Sequence, residues 1–250
     1  MLTQIKTAEE LDNMRRSGKI LATILADLQH NLASGQSTYE IDQRARELLD
    51  QHQAKAAFLG YQNFPAAICI SVNDEIVHGI PKKSHIIKEG DIVGLDFGVT
   101  YNGMITDSAV TIAVGNVGTD AKRLLDGVQQ SLNVVINSLH DGIRVGDIGH
   151  TIETVLHRHN LSVVEELGGH GVGHQVHEDP MIPNYGTAGT GQVLKAGMTI
   201  ALEPIASLGD GSCYVADDNW TFVTGDHSLS AQFEHTLLIT ESGAEILTTL

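Results

Sequence analysis

Gly90-Asp-Ile-Val-Gly-Leu-Asp-Phe97 returns, displaced by 107 positions, as Gly197-Met-Thr-Ile-Ala-Leu-Glu-Pro204. Gly90 meets Gly197, Val93 meets Ile200, Leu95 meets Leu202, and the acid Asp96 meets the acid Glu203. The same displacement of 107 holds far upstream, where Leu32, Gly35, Ile41 and Leu49 meet Leu139, Gly142, Ile148 and Leu156. An ungapped match that spans helical patterns and a strand reads as a duplicated unit, and a fixed internal period decides a fold before any single element does.

The elements of that unit are legible. Thr7-Ala-Glu-Glu10 and Ser37-Thr-Tyr-Glu40 are capping-box patterns that open helices. Apolar residues follow at helical spacing: Leu11, Met14, Leu21, Ile24, Leu25, Leu28 and Leu32, then Ile41, Ala45, Leu48 and Leu49. The second copy runs from about Asp120 through Leu124, Leu125, Val128, Leu132, Val135, Ile136 and Leu139, then Ile148, Ile152, Val155 and Leu156. Gly35 and Gly142 are expected to stop the first helix of each copy. No Pro-, Gly- or Ser-rich linker separates the copies. The expectation is one catalytic domain over residues 1–250, built of pseudo-repeats at about 7–115 and 119–250.

Composition narrows the function. The 250 residues are 42% hydrophobic and carry a formal net charge of −16. That charge opposes sequence-independent nucleic-acid binding, which needs Lys and Arg against phosphates. Cys69 and Cys213 have no CxxC spacing, as expected of a reduced intracellular chain. The N-terminal stretch has no apolar h-region, so no secretory signal is expected, and no apolar run approaches the ~18 residues of a membrane span. The expectation is a cytoplasmic protein.

Asn102-Gly103 is a favoured two-residue hairpin turn. With those two as the loop, Asp107 stands opposite Gly98 and shares a face with Asp96, as diagonal cross-strand neighbours roughly 7–8 Å apart. Asp107 alone is compatible with a solvated strand end. Two acids on one face of an apolar hairpin, with Gly94 and Gly98 leaving room, favour a cation between them. Glu203 ends an apolar strand. Glu234 lies in Ser230-Ala-Gln-Phe-Glu-His-Thr-Leu-Leu-Ile-Thr240, read as one apolar strand with Gln232, Glu234 and Thr236 on a common face. Each glutamate alone is compatible with an edge charge. Of thirteen histidines, those in the glycine-rich loop 168–180 (His170, His174, His177) and His78 before Gly79-Ile-Pro81 stand apart from the surface or packing remainder.

Taken in order, Cys69 to Pro81, Asp96, Asp107, Gly169 to Gly173, His177 to Pro180, Asn184 to Gly186, Glu203-Pro204 and Ser230 to Thr236 resemble the methionine aminopeptidases of type I, bacterial form, over nearly the whole chain. The resemblance implies an α+β "pita-bread" fold: a pseudo-twofold duplication, an antiparallel sheet with helices packed outside, and the site between the halves. It implies five metal ligands, Asp96, Asp107, His170, Glu203 and Glu234, holding two divalent ions (Co, Mn or Fe(II), with Zn or Ni possible), with the glycines around His170 letting the backbone pass close to the metals. It implies His78, His177 and Glu203 as catalytic, with Glu203 moving protons as a metal-activated water attacks the first peptide bond. His78 and His177 also border the substrate. The methionine slot maps onto Phe58, Tyr61, Phe64, Cys69, Val176 and Trp220, and Val176 replaces the family's usual aromatic. His174 receives no role. The implied partners are nascent N-termini with a small second residue, through transient ribosome contact, for a monomer without membrane or nucleic-acid specificity. An Xaa-Pro aminopeptidase, or a non-catalytic binding protein of the same fold, is the competing reading.

Overall fold

The computed structural model describes residues 5–250. Helix α1, Ala8–Asn31, opens on its capping box, where Glu10 Oε2 accepts from Thr7 N at 2.7 Å. Helix α2, Thr38–Gln51, opens the same way on Ser37 and Glu40. Helices α3, Thr119–Ile136, and α4, Val145–Arg158, are their second copies. The displacement of 107 carries α2 onto α4 at both ends. It also carries the bridge Ser37↔Ile86 onto Arg144↔Val193, and the bond Gly35 N→Ile87 O (2.8 Å) onto Gly142 N→Leu194 O (2.9 Å).

Contrary to the sequence expectation, Gly35 and Gly142 do not themselves stop the helices. α1 ends at Asn31 and α3 at Ile136, and Gly35 (φ 95°) and Gly142 (φ 92°) make the following turn. The chain leaves each helix early because this turn must hydrogen-bond back to the stretch before the next strand. Left-handed backbone there favours glycine.

Among the described residues all strand pairings are antiparallel, in four hydrogen-bonded sheets. In the first half, Ile92–Tyr101 pairs Lys55–Ala56, Cys69–Val72 and Met104–Ala113. In the second, Thr199–Leu202 lies between His235–Ile239 and Gly168–Gly171. Each half packs its helices on its own core. Leu21, Leu25, Leu28, Ile41 and Leu49 meet Val93, Leu95 and Phe97 in one. Val128, Leu132, Val135, Ile148 and Leu156 meet Ile200, Leu202 and Leu237 in the other. Full burial of one such side chain contributes about 1.5–3 kcal/mol.

Two stretches differ from the sequence reading. Ser230 to Ile239 is not one strand: Ser230–Gln232 pairs Ile205–Ser207, whereas His235–Ile239 pairs Thr199–Leu202. The break falls at Phe233–Glu234 because Glu234 N donates across to Ala109 O of the first half (2.8 Å). The glycine-rich run is not all loop, since Gly168–Gly171 is a strand. Its glycines permit close approach of neighbouring strands. A Cβ on Gly169 would lie 2.5 Å from Ala201 O, and one on Gly171 would overlap Asp179 O.

The halves meet where Met104–Ala113 runs beside residues 232–236. Along this seam side chains carry most of the bonds, and elsewhere a short ladder between Phe222–Thr224 and Glu75–Val77 also joins the halves. Thr236 Oγ1 accepts from Asp107 N (2.8 Å) and donates to Asp107 O (2.7 Å). Ser108 Oγ donates to Glu234 O (2.7 Å), and Thr111 Oγ1 donates to Gln232 O (2.8 Å). Leaving a buried backbone group unpartnered costs about 1–3 kcal/mol. Thr236→Val keeps the shape and strips both Asp107 groups of their partner. Its urea unfolding free energy should fall by about 2–4 kcal/mol. A loss below 1 kcal/mol would mean that the hydroxyl does not hold this seam.

Candidate metal centre

The hairpin forms with the expected register. Asn102 (φ 46°) and Gly103 (φ 81°) make the turn, Asp107 pairs with Gly98, and Asp96 with Ala109. Strand alternation sends Val93, Leu95, Phe97 and Val99 into the core and Asp96 to the opposite face. Gly98 serves the neighbouring slot: a Cβ there would lie 2.7 Å from Phe58 Cε1. His170 comes from the strand Gly168–Gly171, Glu203 from the turn after Thr199–Leu202, and Glu234 from the crossover between sheets.

One cavity of about 60 Å³ is lined by Asp96, Asp107, His170, Glu203 and Glu234 together with His78, His177, Phe58, Tyr61, Phe64, Cys69, Val176 and Trp220. Every residue singled out from sequence for this site therefore borders the same space. Asp107, His170 and Glu234 each offer a donor atom within 4.8 Å of the other two. His170 Nε2 lies 3.5 Å from Glu203 Oε1. The His170 Nδ1 is 2.9 Å from Gly171 O, a bond that in the neutral ring makes Nδ1 the donor and leaves the Nε2 lone pair facing the acids.

The electrostatics are those of a cation site. Asp96, Asp107 and Glu234 are 8%, 3% and 2% exposed. Burial, reinforced by the neighbouring carboxylates, pushes Asp96, Glu203 and Glu234 well above the ordinary carboxylate range. Burial pushes Asp107 up to about 7. Burial, with His177 beside it, lowers His170 to about 3, so its ring is neutral. Asp96 Oδ1, Asp107 Oδ1 and Glu234 Oε1 are buried without a hydrogen-bond partner among the described residues. Orphaned buried oxygens are costly. Four carboxyl groups and one imidazole suit divalent ions such as Mn, Fe or Co. The residues present fit a metal centre.

Beside the acids, Phe64 and Trp220 meet edge to face at 5.1 Å between centroids, closing an apolar slot. His177 Nδ1 is 3.0 Å from Tyr61 Oη, and its ring lies 4.3 Å from that of His170. His78 sits in the left-handed region (φ 60°), at a backbone cost on the order of 1–3 kcal/mol, between the rings of Trp220 and Phe222. Burial lowers His78 to about 4 and also lowers His177, so both rings are neutral near pH 7. A wider groove of about 350 Å³ continues from His78, His170, His177 and Glu203 past Glu166, Asp179 and Met181. The histidines set aside from sequence line neither space.

Sequence reasoning missed three supports. Gln232 Nε2 donates to Glu203 Oε2 (2.9 Å), and Asn184 Nδ2 donates to Glu203 O (3.0 Å). Thr236 fixes the backbone of Asp107. Gln232 and Thr236 each lie two residues from Glu234, and that spacing was their one signal. No helix among the described residues is long and apolar enough to cross a membrane.

Residues 12–241 match the model of metallopeptidase family M24. The chain is 44% identical over 243 residues to methionine aminopeptidase 1 of Bacillus subtilis, covering 97% of this chain and 98% of that protein. Its structure is similar to the crystal structure of methionine aminopeptidase from Thermotoga maritima, with TM-score 0.98, 43% identity and full coverage of both chains. The prolidase of Pyrococcus furiosus shares the fold alone, at TM-score 0.77 and 22% identity over 98% of this chain and 65% of that one.

Because metal ligands must be deprotonated and His170 is already neutral, protons compete mainly at the carboxyls. Adding Mn(II) to chelator-treated protein at pH 7.5 should release protons to the buffer. Affinity should then fall by about tenfold per pH unit, for each proton released, as pH drops toward 6. Calorimetry in buffers of different ionisation enthalpy reads both. Affinity flat from pH 8 to 6 would contradict the raised carboxyl pKa values.

Proposed function

The chain belongs to metallopeptidase family M24, within its bacterial type I methionine aminopeptidases, and from that premise we propose that it removes the N-terminal methionine of nascent proteins and peptides at the cavity between its two halves. The observation that carries this reading is the junction of orphaned buried carboxylate oxygens with an aromatic slot. Asp96, Asp107, His170, Glu203 and Glu234 would hold two divalent ions, of manganese, iron(II) or cobalt. When bound, the ions supply Lewis acidity toward a water and the scissile carbonyl.

The rest of the work falls to side chains. Phe58, Tyr61, Phe64, Cys69, Val176 and Trp220 take the methionine side chain. Glu203, with its carboxyl raised by burial and oriented by Gln232, accepts a proton at Oε1 and returns it to the leaving amine. With Tyr61 Oη donating to His177 Nδ1, His177 Nε2–H donates toward the oxygen that gains charge. His78 approaches the substrate amide from the other side. The two imidazoles leave space for a small second residue, and the chain beyond it leaves along the wider groove.

We extend this reading to a single catalytic domain of two pseudo-repeats, working as a cytoplasmic monomer. Unpaired Cys69 and Cys213 support a reducing compartment. A net charge of −16 keeps contact with ribosomal RNA transient.

Chelated protein given back Mn(II), Fe(II) or Co(II) should release methionine from Met-Gly-Met and leave Ala-Pro peptides intact. Glu203→Gln should lower kcat by about 10²- to 10⁴-fold. Cleavage of Ala-Pro in preference would move the chain to the proline-specific branch. No cleavage despite bound metal would favour a binding protein.

A further inference from the structure

Lys6 and His174 have no place in this chemistry, yet they belong to one network that ends beside His177. The Lys6 ammonium is 2.6 Å from Glu178 Oε2, and the two side chains are 0% and 7% exposed. Charges so deeply buried are kept only when paired. The other oxygen, Glu178 Oε1, accepts from His174 N at 2.6 Å and from Gln175 N at 3.1 Å. His174 Nε2 reaches Glu10 Oε1 at 2.7 Å, while Glu10 Oε2 caps α1. The passage for Lys6 is open because residue 173 is glycine, where a Cβ would overlap Lys6 Cε. On its far side, Gly173 O accepts from Ile105 N (2.7 Å) of the acid-bearing hairpin.

The loop so held carries Val176, which walls the methionine slot, and His177, which directly precedes Glu178 in the chain and has its Nδ1 3.0 Å from Tyr61 Oη. We propose that Lys6 and Glu178 form a buried clasp that sets the position of His177, which makes Lys6 a positioning residue for the reaction. This rests on His177 acting as read above. Glu178 fixes the loop by accepting its two N–H groups, and Lys6 supplies the charge that keeps the carboxylate inside. Without Lys6 the carboxylate turns toward water and releases the N–H groups of His174 and Gln175. A displacement of about 1 Å at a reacting group can lower the rate by up to about a hundredfold.

The test is a mutant cycle on the metal-loaded enzyme with Met-Gly-Met. Lys6→Met should lower kcat at least about tenfold, with Mn(II) affinity within about twofold of wild type, because His170 is held by its own strand pairing. Lys6→Met/Glu178→Gln should recover kcat to within about threefold, since the neutral amide oxygen still accepts both N–H groups without needing a cation. In a His177→Ala background, Lys6→Met should change kcat less than about twofold, as expected of a residue acting through His177. Amide exchange at His174 and Gln175 should quicken in Lys6→Met and recover in the double variant, in chelated protein as well.

If Lys6→Met does not fold, Lys6→Met/Glu178→Gln is compared with Lys6→Met/Glu178→Ala, and only the glutamine variant should be active. An unchanged kcat in Lys6→Met, or the same loss with His177 present and absent, overturns the clasp. An unchanged kcat in His177→Ala would strike the catalytic reading of His177 itself, and the clasp with it.

Discussion

Four carboxyl groups, from Asp96, Asp107, Glu203 and Glu234, converge between two apolar cores, and a single imidazole stands among them. Held together in a low dielectric, they repel one another and lose hydration, which is why their protons are held so tightly. Among the described residues no lysine or arginine pairs with them, and the one ion-pair distance runs to His170. The arrangement costs stability unless divalent charge enters, so the two cores and the bonds between them must be rigid enough to keep the acids together. Each half supplies that rigidity separately, with its own helix pair packed on its own strands.

Much of this was legible in the sequence because the relevant patterns are local or periodic. The displacement of 107 reappears as matched hydrogen bonds at Gly35 and Gly142 and as matched spans of α2 and α4. The Asn102-Gly103 turn set a register from which the shared face of Asp96 and Asp107 followed by alternation. Hydrophobic spacing identified both helix pairs, since burying one face is what makes such helices stable.

What escaped was decided by contacts across the chain. The break at Phe233–Glu234 answers to Ala109 O on the other half, and no alternation pattern within 230–240 contains that partner. The glycines around His170 answer to the carbonyls of strands on either side, which no local pattern contains. The left-handed backbone of His78 has no signature in a histidine, because residue type forbids it only weakly and tertiary packing imposes it. Lys6 and Glu178 are separated by most of the sequence, and each alone looks like an ordinary surface charge.

Asp96 and Glu203 occupy corresponding places in the two copies and face the same cavity. A site astride a pseudo-twofold axis begins with one acid presented twice. Here the copies have diverged: one keeps the shorter side chain, and the other carries an extra methylene, with Gln232 donating to its carboxylate. On the reading proposed above, this asymmetry divides labour between twins. The aspartate only ligates, while its longer sibling has the reach and the orienting amide to ferry protons as well. Duplication thus supplied a spare residue, free to take on a second task without surrendering the first.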